Sequence, residues 1–283
     1  MSRPRLGQVD QINCLPVYHA LEEGLLPMDI ELVKGTPSRL SNLFFSGALA
    51  ATLISSIEYP RNADNCFILP GLSVSADGRV ASILFFSKIP VTELEGKRVC
   101  LTESSDTSAA LLKVLFDHYY HVEVQFITAP PNLDIMMQKA DGALLVGNDA
   151  MLAYQRVKEQ GLSYYITDLG EAWKLFTGGK MVYALWVVSK SYARTNREEI
   201  NLLNKILLES KEIGLGQIHA LVSKAQKKLS LPLQVIEDYF KTIRLEFDED
   251  CRKALLTFYD YAYKSGLIDE RVKLSIWGES GGV

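Results

Sequence analysis

Short apolar runs alternate with amphipathic stretches along the first half of the chain, which is the pattern of a parallel sheet covered by helices. Strands are predicted over residues 6–9, 28–34 and 50–55. Helices are predicted between them over residues 15–23 and from Pro37 to about Ser46, where Thr36 offers a cap and Pro37 suits a first helical turn. These elements predict a first α/β unit.

A second α/β unit follows a strand-like stretch at residues 80–86. Its predicted strands are residues 98–101, 122–127 and 142–146, with helices over 107–118 and 133–138. The chain leaves this unit near residues 177–180, enters a strand over 181–189, and shows helical 3.6-residue periodicity from Asn196 onward.

This order predicts an α/β fold with two lobes and a helical C-terminus. Residues 1–87 together with 180–283 form lobe I, and residues 88–179 form lobe II, inserted into lobe I. A ligand cleft is expected between the lobes, at the carboxyl ends of their strands.

Composition excludes several classes of protein. A hydrophobic content of 48% and a charged content of 23% are those of an ordinary globular chain. The net charge of −4 and the lack of a basic block argue against nucleic acid as a partner. No apolar run approaches membrane-helix length, and no apolar core follows the basic start of the chain. We expect a soluble, cytoplasmic monomer or homodimer with buried, free cysteines.

The segment after the strand at 98–101 is the most informative one. It carries hydroxyls at Ser104, Ser105, Thr107 and Ser108, where a helix begins. The first turn of a helix has unpaired N–H groups, and the helix dipole adds to their attraction for negative charge. The segment is either a site for a carboxylate or phosphate, or only a well-capped helix start.

Polar residues also follow other predicted strands. Asn13 and Ser55 come after strands of lobe I, and Gly147 and Asn148 come after a strand of lobe II. The pair at 147–148 opens another helix and is either a second anion-facing loop or only a capped turn. Because strand ends of both lobes border one cleft, we expect Asn13, Ser55 and the hydroxyl cluster to face it together.

The usual catalytic motifs are absent from the sequence. No G-x-S-x-G, G-x-G-x-x-G, P-loop or H-E-x-x-H occurs. His118 and His121 have the spacing for a shared metal but lack a clear third ligand, and His19 is a candidate to line the cleft. Asp168 is predicted to cap a helix. The aromatic residues are predicted to belong mostly to the core: Tyr164, Tyr165, Trp173, Phe176, Tyr183 and Trp186.

Taken together, several segments resemble the chorismate dehydratases of the futalosine route to menaquinone. The segments that carry the resemblance are residues 11–18, 55–59, 77–82, 101–111, 144–150 and 168–178. The resemblance implies a type II periplasmic-binding-protein fold used as an enzyme. The implied reaction removes water from chorismate to give 3-[(1-carboxyvinyl)oxy]benzoate, without a metal or cofactor.

The same resemblance implies that Asn13 and Ser82 lie at the reacting centre. The alternative for Ser82 is a plain strand serine. Because no protein base is obvious, the enolpyruvyl carboxylate of the substrate is a candidate to take the proton.

Two segments depart from the family pattern. Residues 47–50 lack an expected acidic residue, and Gly179 and Lys180 replace Leu and Pro. The alternatives to a dehydratase are a 1,4-dihydroxy-6-naphthoate synthase of the same pathway and a small-carboxylate binding protein without catalysis.

Overall fold

The computed structural model describes residues 3–26, 29–102 and 106–279. Its strands form two five-stranded sheets. They are β1 (Arg5–Val9), β2 (Glu31–Gly35), β3 (Ala51–Ser55), β4 (Cys66–Ala76), β5 (Ile83–Ser87), β6 (Arg98–Thr102), β7 (Gln125–Ala129), β8 (Gly142–Val146), β9 (Tyr165–Asp168) and β10 (Met181–Ser189).

The two sheets have the same strand pattern. The orders are β2-β1-β3-β10-β4 in the first sheet and β7-β6-β8-β5-β9 in the second. In the first sheet β1 pairs in parallel with β2 and β3, while β10 runs antiparallel to β3 and β4. In the second sheet β6 pairs in parallel with β7 and β8, while β5 runs antiparallel to β8 and β9.

Helices cover the sheets and make up most of the C-terminal part of the chain. They are α1 (Leu15–Glu22), α2 (Pro37–Phe45), α3 (Glu58–Arg61), α4 (Asp106–Leu115), α5 (Leu133–Lys139), α6 (Asn148–Gln160), α7 (Leu169–Thr177), α8 (Lys190–Ala193), α9 (Arg197–Gly216), α10 (Ile218–Lys228), α11 (Leu233–Thr242) and α12 (Glu249–Lys264). A π-helical turn extends α4 to Tyr120.

Strand β5 lies in the second sheet, although the sequence analysis placed its residues in lobe I. The prediction placed residues up to 87 in lobe I, whereas β5 pairs with β8 and β9 of the second sheet. All residues of β5 are buried, so its apolar sequence is equally compatible with either sheet. The predicted strand over 80–86 is also shorter than expected, because β5 begins only at Ile83.

Two segments connect the sheets and are named here the crossings. The first crossing, residues 77–82, runs from β4 to β5. The second crossing, residues 169–180, runs from β9 through α7 to β10. The C-terminal helices pack on both lobes. Helix α12 contacts β10 of the first sheet and α4 beside the second sheet, and α9 contacts α1. All four cysteines are free and buried, as predicted.

A partly buried carboxylate ties the first sheet to its helices. Glu22 of α1 accepts hydrogen bonds from Gln8 Nε2 at 2.9 Å and Lys34 Nζ at 2.6 Å, and it also binds Lys224 of α10. Burial alone would raise the pKa of Glu22, but the hydrogen bonds from Lys224, Lys34 and Gln8 outweigh it and lower the pKa to about 2. The ionised form is therefore the one that stabilises the fold.

We predict that Glu22→Gln lowers the free energy of unfolding at neutral pH by on the order of 2–3 kcal/mol. A lowered folded-state pKa adds stability above the ordinary value of 4.5, and this stability is lost as the pH falls toward about 2. The difference between wild type and variant should therefore shrink over that window in urea unfolding.

Glu31→Gln is the matched control, because Glu31 pairs with Arg5 on the surface, where both side chains are largely exposed. Exposed ion pairs contribute little, so this variant should unfold within about 1 kcal/mol of wild type. An equal loss in the two variants would contradict the structural role given to Glu22.

Candidate active site

A cleft runs between the two sheets, with about 620 Å³ of empty space when the part open to solvent is counted. Its apolar walls come from both lobes. Its polar lining residues are Gln11, Asn13, Ser55, Ser82, Ser108, Gly147 and Tyr183.

Lobe I contributes Asn13 and Ser55 from the ends of neighbouring strands. Asn13 lies in a short helical turn directly after β1, and Ser55 is the last residue of β3. Because β1 and β3 run parallel and adjacent, their carboxyl ends open onto the same edge of the sheet. The structure thus brings these two predicted site residues together.

Asn13 is oriented by its chain neighbour. The Cys14 thiol donates a hydrogen bond to Asn13 Oδ1 over 3.1 Å. Burial raises the pKa of Cys14 to about 12, so the thiol keeps its proton at any physiological pH. A thiol held in this state donates to the amide oxygen, which turns the amide nitrogen of Asn13 toward other partners.

Ser82 lies in the first crossing and not within a strand, so the interpretation as a plain strand serine is wrong. Its side chain is buried and lines the cleft one residue before β5. Its carbonyl oxygen accepts a hydrogen bond from Gly147 N at 2.6 Å, which fixes the crossing against the loop after β8.

The carboxylate of Asp168 holds the two crossings together. It accepts hydrogen bonds from Val80 N at 3.0 Å and Ala81 N at 2.7 Å in the first crossing. It also caps α7 by accepting from Gly170 N at 2.9 Å, as predicted. Ala81 has a φ of 62°, a strained conformation for a residue with a side chain, which persists only where the surroundings enforce it.

The predicted hydroxyl cluster divides between different environments. Ser108 is buried and lines the cleft. Thr107 does not line it: Thr107 Oγ1 accepts from Ile57 N at 3.1 Å and lies 3.3 Å from Ser56 Oγ, so this hydroxyl joins α4 to lobe I. Ser104 and Ser105 lie outside the described residues.

The loop after β8 forms the facing wall. Gly147 lines the cleft with a φ of 66°, and a Cβ there would come within 3.2 Å of Gln11 Nε2. Glycine therefore allows the two lobes to approach at this point. Asn148 opens α6 but does not line the cleft, and its Oδ1 is buried without a hydrogen-bond partner among the described residues.

The described residues that line this cleft carry no charged side chain. Three helices nevertheless begin at its walls, since Pro37 opens α2, Ser108 lies in the first turn of α4 and Gly147 caps α6. Helix starts present unpaired N–H groups and a partial positive charge. The arrangement suits a small anion that is bound by hydroxyls, amides and helix ends.

Two tyrosines at the site were missed in the sequence. Tyr183 belongs to the buried core, as predicted, and it also lines the cleft. Burial raises the pKa of Tyr239 on α11, and hydrogen bonds with Ser82 and Asn13 offset this rise only in part, so its phenol stays protonated. Both lie in ordinary apolar patterns that give no signal of a site. Tyr165 was also predicted to be core, but it is 53% exposed.

The remaining candidates lie away from the cleft. His19 does not line it, because its ring is buried and bonds Gln217 Oε1 at 2.9 Å. His118 bonds Ser265 Oγ at 3.0 Å and His121 bonds the Asp117 carbonyl at 3.1 Å. Within residues 3–26, 29–102 and 106–279, no three His, Cys, Asp or Glu side chains gather as a metal ion would require.

A second, wider groove lies on the flank of lobe II. It is lined by Arg79, Tyr154, Lys158 and Tyr164 among others. None of the predicted site residues lies in this groove, so it is distinct from the cleft. In the described part of the chain, no helix is long and apolar enough to cross a membrane.

Comparison with known proteins identifies the family of this chain. A family model described as menaquinone biosynthesis matches residues 4–264. The chain belongs to the menaquinone biosynthesis family. A relative from Thermus thermophilus named chorismate dehydratase is 28% identical over 89% of this chain and 93% of its own length. A Campylobacter jejuni protein of the same name is 31% identical over 63% of this chain and 64% of its own.

Solved structures show that this family member has the periplasmic-binding-protein fold, and confirm the prediction of an α/β fold with a helical C-terminus. Protein AF1704 from Archaeoglobus fulgidus superposes with a TM-score of 0.75 at 19% identity, covering 94% of this chain and 98% of its own. The aliphatic sulphonate binding protein SsuA from Escherichia coli gives 0.69 at 15% identity, covering 99% and 93%.

Lys180, one of the residues that depart from the family pattern, contacts an acidic residue. Lys180, at the end of the second crossing, forms an ion pair with Asp248 at 3.1 Å, and Asp248 caps α12. The crossing is thus tied to the C-terminal helix.

We predict that Asp168→Asn loosens the first crossing and lowers the free energy of unfolding by about 1–3 kcal/mol. The substitution replaces one acceptor oxygen by an NH2 group, which leaves buried backbone donors without a partner. Hydrogen exchange at the Val80 and Ala81 amides should accelerate relative to wild type.

The control for this substitution is Asp248→Asn, which alters a helix cap of the same kind. It should lower stability without accelerating exchange at residues 80 and 81. Unchanged exchange there in Asp168→Asn would show that Asp168 caps α7 and does nothing more.

Proposed function

We propose that this chain is a chorismate dehydratase, which converts chorismate to 3-[(1-carboxyvinyl)oxy]benzoate and water as the first step of the futalosine route to menaquinone. The observation that carries the proposal is the cleft itself. Uncharged donors and helix starts from both lobes meet in this cleft. The chain also belongs to the menaquinone biosynthesis family, and relatives of the chain are named chorismate dehydratase. Its substrate, chorismate, carries two carboxylates, which such donors can bind.

The proposed reaction does not require a strong acid or a strong base from the protein. The C3–H bond breaks and its electron pair forms the new ring double bond, while the C4–O bond breaks and the hydroxyl leaves as water with the proton. Formation of an aromatic ring supplies the driving force. The enzyme must then orient the substrate, exclude water and place donors where negative charge develops.

Asn13 and Ser82 are the residues proposed to act at the reacting centre. Asn13 accepts a hydrogen bond from Cys14, and Tyr239 lies beside the side chains of both Asn13 and Ser82, so the two have fixed neighbours before substrate enters. The Asn13 amide is suited to donate to the departing C4 hydroxyl or to hold the enolpyruvyl group, and the Ser82 hydroxyl is a second donor beside it. Fixed donors need no rearrangement as charge develops.

The cleft offers no strong base among its described lining residues, since none is a carboxylate or a histidine. This supports removal of the C3 proton by the enolpyruvyl carboxylate of the substrate. Ser55, Ser108 and Gly147 are proposed to contribute to substrate binding, together with Ser104 and Ser105. Asn148 is proposed to act indirectly, through the start of α6. Thr107 is proposed to act indirectly, through its contact with Ile57.

The test is incubation of the purified protein with chorismate, followed by mass detection of the dehydrated aromatic product. We expect wild-type turnover, and a loss in kcat/KM of about 10²-fold or more for Asn13→Leu and for Ser82→Ala, because each removes a donor at the reacting centre. Both variants should fold normally, as judged by circular dichroism.

Ser223→Ala is the control, since Ser223 is exposed and its hydroxyl donates to the His219 carbonyl, outside the cleft. It should retain wild-type kcat/KM. Binding of chorismate without turnover by wild type would overturn the proposal in favour of a carboxylate-binding protein. Formation of 1,4-dihydroxy-6-naphthoate from its own precursor, without action on chorismate, would favour the sister enzyme.

A further inference from the structure

Tyr183 occupies an irregular position at the start of β10. The register of β10 against β4 shifts between Val182 and Ala184, so Tyr183 is the extra residue of a β-bulge. Its carbonyl accepts a hydrogen bond from Ser56 N at 2.9 Å, which fixes the bulged backbone. Bulges of this kind re-aim a side chain and occur often beside binding sites.

The bulge lies at the wall of the cleft, and the phenol of Tyr183 is buried there. Tyr183 lines the cleft and is only 6% exposed. Its hydroxyl is buried and has no hydrogen-bond partner among the described residues. A buried polar group without a partner is costly to the fold, and such groups in native proteins call for an explanation.

Gly170 of lobe II has no side chain, and this leaves space for the Tyr183 hydroxyl. A Cβ added at Gly170 would lie 2.7 Å from Tyr183 Oη and 2.3 Å from the Gly78 carbonyl oxygen. The hydroxyl therefore reaches from β10 of lobe I to the start of α7, beside the first crossing. The neighbouring Tyr239 lies beside Ser82 and Asn13, whereas the Tyr183 hydroxyl has no hydrogen-bond partner among the described residues.

We propose that Tyr183 is a further substrate-binding residue, whose hydroxyl donates a hydrogen bond to a carboxylate of the anion in the cleft. Burial, together with the nearby charge of Asp168, raises the pKa of Tyr183, so the phenol stays protonated and acts as a donor and not as a base. A neutral phenol is suited to a cleft whose described lining side chains carry no charge. The inference rests on the proposed function for the identity of the anion.

Tyr183→Phe tests the proposal, because it removes only the hydroxyl. We expect the KM for chorismate to rise about 10-fold or more with a smaller change in kcat, since a contact made equally in ground and transition states acts on binding. The melting temperature should stay equal or rise, because an unsatisfied buried group has been removed.

Tyr59→Phe is the matched control. The Tyr59 hydroxyl accepts from Ser275 N at 2.7 Å, so its removal should lower the melting temperature and leave the KM unchanged. A wild-type KM in Tyr183→Phe would overturn the proposal, and so would a melting temperature that falls as in Tyr59→Phe, because the hydroxyl would then be structural.

Failure of the proposed function has a different signature. If wild type binds chorismate without turnover, calorimetric affinities of wild type and Tyr183→Phe replace the KM values, and a 10-fold difference still supports the role of Tyr183. If wild type does not bind chorismate at all, both proposals are overturned.

Discussion

The candidate site depends on the hydrogen bonds that the Asp168 carboxylate accepts. This carboxylate accepts backbone hydrogen bonds from Val80 and Ala81 in the first crossing and from Gly170 in the second. Both segments that connect the lobes are therefore held by one side chain, and Ala81, whose amide donates to it, has a strained φ of 62°. Ser82 comes directly after this point, so its position in the cleft is set by a residue that does not line the cleft.

Around this junction, the cleft offers neutral donors. The described lining residues of the cleft are uncharged, and helices α2, α4 and α6 begin at its walls. In the proposed reaction, hydroxyls, amides and phenols placed by the fold would act as donors where charge develops. The periplasmic-binding-protein fold suits this task, because donors from two lobes meet across one cleft.

The sequence predicted the elements whose signals are local. The strands at 142–146 and 181–189 match β8 and β10, because each is a continuous apolar run bounded by turn residues. β4 was missed because Pro70 and Gly71 interrupt its run, which an edge strand tolerates. The bulge at Tyr183, the contact of Thr107 with Ile57 and the place of Tyr239 depend on distant segments of the chain, so no local pattern could predict them.

The central claim is that the cleft between the lobes, and not the groove on the flank of lobe II, takes the substrate. A crystal structure of the Asn13→Leu protein soaked with chorismate tests it most directly. The account predicts the ligand between the lobes, in contact with Ser82 of the first crossing and Ser108 of α4. Chorismate bound instead at Arg79 and Lys158 in the flank groove, with the cleft empty, would contradict it.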